Sequence, residues 1–171
     1  MNLLNSAFVT RIKRNHGLEH ATLHVLALQC PHEPLAGYSD GGGFWILGKV
    51  STENLTVAVQ EALRRLKGGE WSLALHPNCG TSLLTTGALV GSAAFLALIG
   101  SGQTKREKLD RLPLAIVLST IAVLIAQPLG LFLQDRLSTS SELTGIKSFM
   151  VVLKKTDKPR LHRISIKYDA G

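Results

Sequence analysis

Two stretches of the chain are apolar at nearly every position, and the segments around them mix polar and apolar residues. The stretches cover residues 83–102 and 112–134, and each is about as long as a helix that crosses the hydrocarbon core of a bilayer. The link between them is too short to form a domain. We therefore predict a transmembrane helical hairpin, with the segments before and after it on one side of the membrane.

The spacing of apolar residues before the hairpin predicts two helices. The first is expected from Leu3 to Gln29, where Pro31 prevents its continuation. Its second half is apolar on nearly every side, which is typical of a buried helix. A second helix is expected after an N-cap at Ser51, and it ends at the glycines 68 and 69.

Alternating patterns predict the strands. Four strands are expected to form one small sheet, and a tight glycine-rich turn is expected at residues 39–43. Trp45 and Trp71 fall in predicted strands and are expected in the core. The predicted strands cover residues 44–50, 70–77, 148–155 and 160–168.

These elements together predict an α+β membrane protein. A small domain of helices and an antiparallel sheet would be split by the transmembrane hairpin. The predicted boundaries place an N-terminal α+β part at 1–81, the hairpin at 82–135, and a C-terminal β-hairpin that completes the sheet at 136–171.

The charge of the chain indicates its surroundings. The formal net charge is +7, and the basic residues cluster beside the apolar stretches and in the C-terminal tail. Because no aromatic stacking platform accompanies them, we expect contact with a lipid bilayer and no nucleic-acid partner. The N-terminus lacks the order of a signal peptide. The expected location is the bacterial cytoplasmic membrane, multi-pass, with the polar parts in the cytoplasm.

The first apolar stretch is rich in small residues, among them Gly87, Gly91 and Ala94. Small residues allow a neighbouring helix to approach closely. This stretch therefore predicts contact with a membrane-protein partner or with a second copy of the chain.

The segment NHGLEHATLHV at residues 15–25 carries the candidate chemistry. His16 and His20 are one helical turn apart on one face, and Glu19 lies beside them. Two imidazoles at this spacing can bind one zinc ion, and a nearby carboxylate can accept a proton from water at the metal. The order H-x-x-E-H thus predicts zinc binding by the histidines and a catalytic role for Glu19.

A catalytic zinc site needs a third protein ligand. The turn HPNCG offers His76 and Cys79, and His24 lies one further turn along the first helix. The carboxylates that remain as alternatives are Asp40, Glu61 and Glu70.

Several functions are compatible with this pattern. The first is a membrane-anchored metal-binding protein, which can also be a zinc-dependent hydrolase. The second is a non-enzymatic membrane assembly factor, or a subunit of a membrane complex that binds a tetrapyrrole through histidine. In the third, the histidines are structural and form hydrogen bonds inside a buried helix, and the protein is a subunit of a larger membrane complex.

The motifs RNHGLEHATLHVL, GGFWILGKVSTENL, HPNCGT and IAQPLG occur in this order over nearly the whole chain. In this the chain resembles a family of bacterial two-span membrane proteins with a domain of unknown function, from photosynthetic and related bacteria. The H-x-x-E-H motif itself resembles that of the inverzincin metallopeptidases, which implies zinc ligands at His16 and His20 and a catalytic Glu19. The chain departs from inverzincins because their downstream glutamate ligand is not recognisable here.

Overall fold

The computed structural model describes residues 6–100, 102, 104–157 and 159–169. The chain divides into two compact units. The first unit comprises residues 1–76 and 135–171, and the second comprises residues 77–134. The polar flanks of the sequence thus fold together, although the second unit separates them along the chain.

Helix α1 (Ala7–Gln29) is the first element of the first unit. It begins after Ser6, whose hydroxyl accepts a hydrogen bond from the Val9 amide at 3.3 Å. Its middle is buried on nearly every side between residues 15 and 26. The predicted end of the helix and its burial are confirmed, whereas the predicted start at Leu3 lies outside the described residues.

Strands β1 (Ala36–Asp40) and β2 (Gly43–Gly48) form an antiparallel hairpin around a two-residue turn. The predicted tight turn is confirmed. The sequence predicts no strand for the segment that forms β1, because only its pairing with β2 gives this segment a regular structure. Gly43 has φ +144°, and a Cβ there would lie 2.0 Å from the Ile164 carbonyl oxygen. A glycine is therefore needed where β2 begins beside β4.

Strands β3 (Ile146–Lys155) and β4 (Arg160–Tyr168) form the predicted C-terminal hairpin. The sheet order is β1-β2-β4-β3, and all neighbouring strands are antiparallel. β4 pairs with β2 in a register that places Phe44 opposite Ile164. The C-terminal hairpin thus completes a four-stranded sheet, as the sequence predicts.

The predicted strand at residues 70–77 is wrong. After helix α2 (Thr52–Lys67), the chain forms a 3₁₀ helix (Trp71–Ala74). Backbone bonds of this segment close locally, from the Leu73 amide to the Glu70 carbonyl and from the Leu75 amide to the Ser72 carbonyl, each 3.1 Å. These groups form a tight turn instead of pairing with a strand.

Trp71 is also not a core residue, because 59% of its surface is exposed. The core of the first unit lies instead between the sheet and the helices α1 and α2. The largest buried apolar side chains are Leu18, Leu26, Phe44, Ile46, Leu55 and Ile164.

The second unit contains helices α3 (Gly80–Leu98), α4 (Lys105–Asp110) and α5 (Leu112–Leu133), and α5 continues as a π-helical turn (Gln134–Ser138). Helices α3 and α5 approach closely where Gly130 faces Ser82, and the Gln134 amide donates to the Ser82 hydroxyl at 2.5 Å. Gly87 and Gly91 lie elsewhere on α3, and a Cβ at either would meet no atom within 4 Å.

Among the described residues, two helices are long and apolar enough to cross a membrane. They are Gly80–Leu98, with mean hydropathy 1.6, and Leu112–Ser138, with mean hydropathy 2.2. Only 11% and 17% of their most apolar windows are buried. The core helix of a water-soluble protein would be mostly buried, so these helices present their apolar side chains outwards.

Candidate metal centre

Three histidines form a row along one face of α1, because His16, His20 and His24 follow each other at intervals of four residues. The rings of His16 and His20 have centroids 4.3 Å apart and an interplanar angle of 61°. One ring nitrogen of His16 lies within 4.8 Å of one ring nitrogen of His20. The predicted pair is therefore close enough for both rings to turn towards one ion.

Backbone carbonyl groups hold the rings of His16 and His20. Nδ1 of His16 lies 2.9 Å from the Ser138 carbonyl oxygen, and Nδ1 of His20 lies 2.8 Å from the Ala74 carbonyl oxygen. A carbonyl oxygen can only accept, so each Nδ1 carries the proton when the ring is neutral. Nε2 of both rings then carries the lone pair that a metal requires.

The ring of His24 is held through its other nitrogen, Nε2. Nε2 of His24 lies 2.8 Å from the Leu75 carbonyl oxygen, so it is the donor and Nδ1 carries the lone pair. A carbonyl bond of this kind fixes the tautomer and the orientation of histidines that bind metals. All three α1 histidines share this arrangement.

His76 extends the row from a different element. Its ring lies 5.6 Å from that of His20 and 5.1 Å from that of His24. Burial, together with the neighbouring His20 and His24, lowers the pKa of His76 from 6.5 to about 4. His76 is therefore neutral at physiological pH, which is the form that binds a metal. The structure thus brings together all four histidines that the sequence predicts as metal ligands.

Gly17 explains how the carbonyl groups reach the histidines. A Cβ at this position would lie 2.2 Å from the Ser140 carbonyl oxygen and 3.3 Å from the Ala74 Cβ. The Ser140 amide also donates to the Lys13 carbonyl oxygen at 3.0 Å. The segments that contain Ala74 and Ser140 therefore lie directly against α1. A glycine inside a helix is costly, so Gly17 is itself a sequence signal that another segment packs closely against α1. It does not identify which segment does so.

Glu19 faces a different neighbour. It is only 4% exposed, and its carboxylate accepts a hydrogen bond from the Ser39 hydroxyl of β1. A Cβ at Gly37 would lie 2.2 Å from Glu19 Oε1, so this glycine leaves room for the carboxylate beside the strand. The sequence does not reveal Ser39, because this residue falls in the predicted turn at residues 39–43 and not in a predicted strand.

The other carboxylates considered as ligands each pair with an arginine. The hydrogen bond from Arg163 is the largest of the effects that lower the pKa of Asp40. Hydrogen bonds from arginine likewise lower the pKa values of Glu61 and Glu70. Paired carboxylates are less available to a metal than a neutral imidazole. The pairs are Asp40 with Arg163, Glu61 with Arg64, and Glu70 with Arg65.

Cys79 is a buried cysteine outside any disulfide bond, and it precedes α3 as its N-cap residue. It follows His76 by three residues. Three residues span at most about 11 Å even when fully extended, so the chain itself keeps this thiol near His76.

Comparison with known proteins places the chain in a family. Residues 11–149 match the family model described as Domain of unknown function (DUF6391). The chain is also 35% identical, over 145 residues, to an uncharacterized protein from Picosynechococcus sp., and the match covers 77% of this chain and 67% of that protein. No solved structure matches. The chain therefore belongs to the DUF6391 family.

Proposed function

We propose that this protein is a membrane-anchored metal-binding protein, and that its α1 histidines hold a zinc ion. The observation that carries the proposal is the set of carbonyl bonds to His16 and His20. These bonds leave Nε2 of both rings as the lone-pair nitrogen, one turn apart on one helix face.

The ligands nearest to this pair are nitrogen and sulfur donors. His76 is a neutral imidazole whose ring lies 5.6 Å from that of His20. We propose Cys79 as the third ligand of the ion at His16 and His20, because the chain keeps its thiol near His76, beside His20, and zinc prefers imidazole and thiolate donors. A thiolate would also lower the net charge of a site that otherwise contains only neutral rings.

The proposed membrane anchor consists of α3 and α5. Their apolar windows are only 11% and 17% buried, so in water they would expose far more apolar surface than soluble monomers usually do. A bilayer removes that cost. The segments before and after the two spans both belong to the first unit, so they must lie on the same side of the membrane. We propose that this side is the cytoplasmic side of the cytoplasmic membrane.

Metal analysis of the purified full chain tests the proposal. Protein prepared with zinc should contain about one tightly bound ion. His20→Ala should lose it, because the substitution removes one of the two imidazole ligands and a water molecule cannot supply the lost affinity. His32→Ala is the matched control, since His32 is an exposed histidine outside the row. Folded wild-type protein without bound zinc, or zinc retained in His20→Ala, would contradict the proposal.

Zinc-dependent hydrolysis is a second candidate function. It is favoured by a buried carboxylate, Glu19, directly before His20 in the H-x-x-E-H order. Glu19 would leave Ser39 and accept the proton of the attacking water. Glu19→Gln should then retain zinc and lose hydrolysis of a peptide or ester substrate by at least about a hundredfold. Equal activity in the variant and the wild type would exclude this role, and the zinc content would show that the site itself is intact.

A further inference from the structure

We propose that His24 and His76 form a second metal position of lower affinity, beside the position of His16 and His20. The inference rests on the proposed function and deepens it, because it assigns two positions to a row that the sequence presents as one cluster. It follows from the spacing of the rings, from the nitrogen that each ring offers and from their exposure.

The spacing excludes one ion bound to the whole row. His16 and His24 are eight residues apart on α1, which separates their backbones by about 12 Å. Two nitrogens on the same zinc ion lie only about 3.5 Å apart, given Zn–N bonds of about 2.1 Å. The bonds from His16 to Ser138 and from His24 to Leu75 hold each ring beside its own turn. His24 therefore needs a different partner from His16.

His76 is that partner. Its ring centroid lies 5.1 Å from that of His24, with an interplanar angle of 49°. Two imidazoles on one tetrahedral zinc ion have ring centroids about 5 Å apart, so this pair is spaced for a shared ion. Nε2 of His24 donates to the carbonyl of Leu75, the residue directly before His76. The carbonyl that orients the His24 ring thus comes from the residue next to His76, and Nδ1 of His24 is left as the ligand atom.

The two positions should differ in affinity and in exchange. The second position offers two protein nitrogens, so water would complete its coordination and the ion would exchange readily. His24 and His76 are both partly exposed, whereas the first position pairs the partly exposed His16 with His20, which is only 2% exposed. His76 also lies 5.6 Å from His20, between the two positions. An ion bound by His24 and His76 is thus one ring away from the buried His20, as expected of a position through which the inner site is filled.

Titration of the metal-free full chain with Zn²⁺ in detergent tests the inference. The wild type should bind two ions in two affinity classes. His24→Ala should lose the weaker ion and keep the tighter one, while the exposed control His32→Ala should keep both. His24→Gln, which preserves a polar side chain, serves as a second variant, and the melting temperature of each variant establishes that it is folded.

A measurement on the wild type does not depend on any variant. With ¹⁵N-labelled histidine, the ring signals of His16 and His20 should shift with the first equivalent of Zn²⁺, and those of His24 and His76 with the second. One ion in total, with unmoved His24 signals, would overturn the second position and leave the proposed function intact. Loss of both ions in folded His24→Ala would also overturn it. A chain that binds no Zn²⁺ would overturn both proposals.

Discussion

Helix α1 and helices α3 and α5 are all long, but they are covered to very different extents. Ten of the 23 residues of α1 are buried, including the polar Asn15, Glu19 and His20. In the most apolar windows of α3 and α5 only 11% and 17% are buried. Each buried polar group of α1 has a partner within the first unit, such as the Asp40 carbonyl for Asn15 at 2.7 Å.

This contrast teaches that helix length alone does not distinguish a core helix from a membrane helix. The distinction lies in the polar groups. A buried polar side chain costs free energy unless the protein supplies a hydrogen-bond partner, so a helix that carries such groups needs folded structure around it. Helices α3 and α5 carry side chains that hydrocarbon can solvate, with hydroxyl groups such as that of Thr85 bonded back to their own helix, here to the Thr81 carbonyl at 2.8 Å.

The largest expected effect comes from placing a charge on the exposed apolar surface. Leu124 is 68% exposed in α5, and Leu28 is 76% exposed in α1. If α5 lies in lipid, Leu124→Arg should cost about 2.5–3.5 kcal/mol of insertion free energy, whereas Leu28→Arg should change stability by less than about 0.5 kcal/mol. Carbonate extraction of membranes measures the fraction that is inserted. Two variants that behave alike would remove the proposed difference between the helices.

A smaller effect is expected from adding one methyl group to a glycine in each region. Gly17→Ala would place a Cβ 2.2 Å from the Ser140 carbonyl oxygen, whereas a Cβ at Gly87 meets no atom within 4 Å. Gly17→Ala should therefore destabilise the first unit by about 1–3 kcal/mol. Gly87→Ala should be neutral or slightly stabilising, because alanine favours the helix. Thermal unfolding of both variants measures the difference, and an unaffected Gly17→Ala would contradict the close packing described for α1.

The smallest effect concerns the protonation of His76 in metal-free protein. Burial lowers the folded-state pKa of His76 to about 4, below the ordinary value of 6.5. The unfolded chain therefore binds the proton more readily, and the free energy of unfolding should fall as the pH decreases from about 6.5 towards about 4. Denaturation with urea in the presence of a chelator measures this slope.

The control for this pH dependence is His76→Gln, which removes the titrating ring. Its unfolding free energy should depend less on pH over the same range. Part of the slope should remain, because burial also lowers the pKa of His162 in the core. An identical slope in both proteins would show that His76 is already protonated or solvated in the folded state.

Much of the fold follows from local pattern. The end of α1 before Pro31, the Ser51 N-cap of α2 and the C-terminal hairpin were all predicted, because caps, breakers and alternation act over a few residues. The prediction of a strand at residues 70–77 is wrong, because the apolar residues of this segment fit a short 3₁₀ turn equally well. Strand β1 was missed because a short, exposed strand acquires its structure only from the partner beside it.

The sequence by itself determined the order of the candidate ligands: two histidines one turn apart on α1, a third one turn further, and His76 on another segment. Helical periodicity suffices for that. Only the tertiary structure decided which ring nitrogen each α1 histidine presents, because the carbonyl groups of residues 74, 75 and 138 are far away along the chain. It also decided that Glu19 bonds to Ser39 of β1. Backbone carbonyls are the same for every residue type, so sequence identity cannot reveal which of them will meet a histidine.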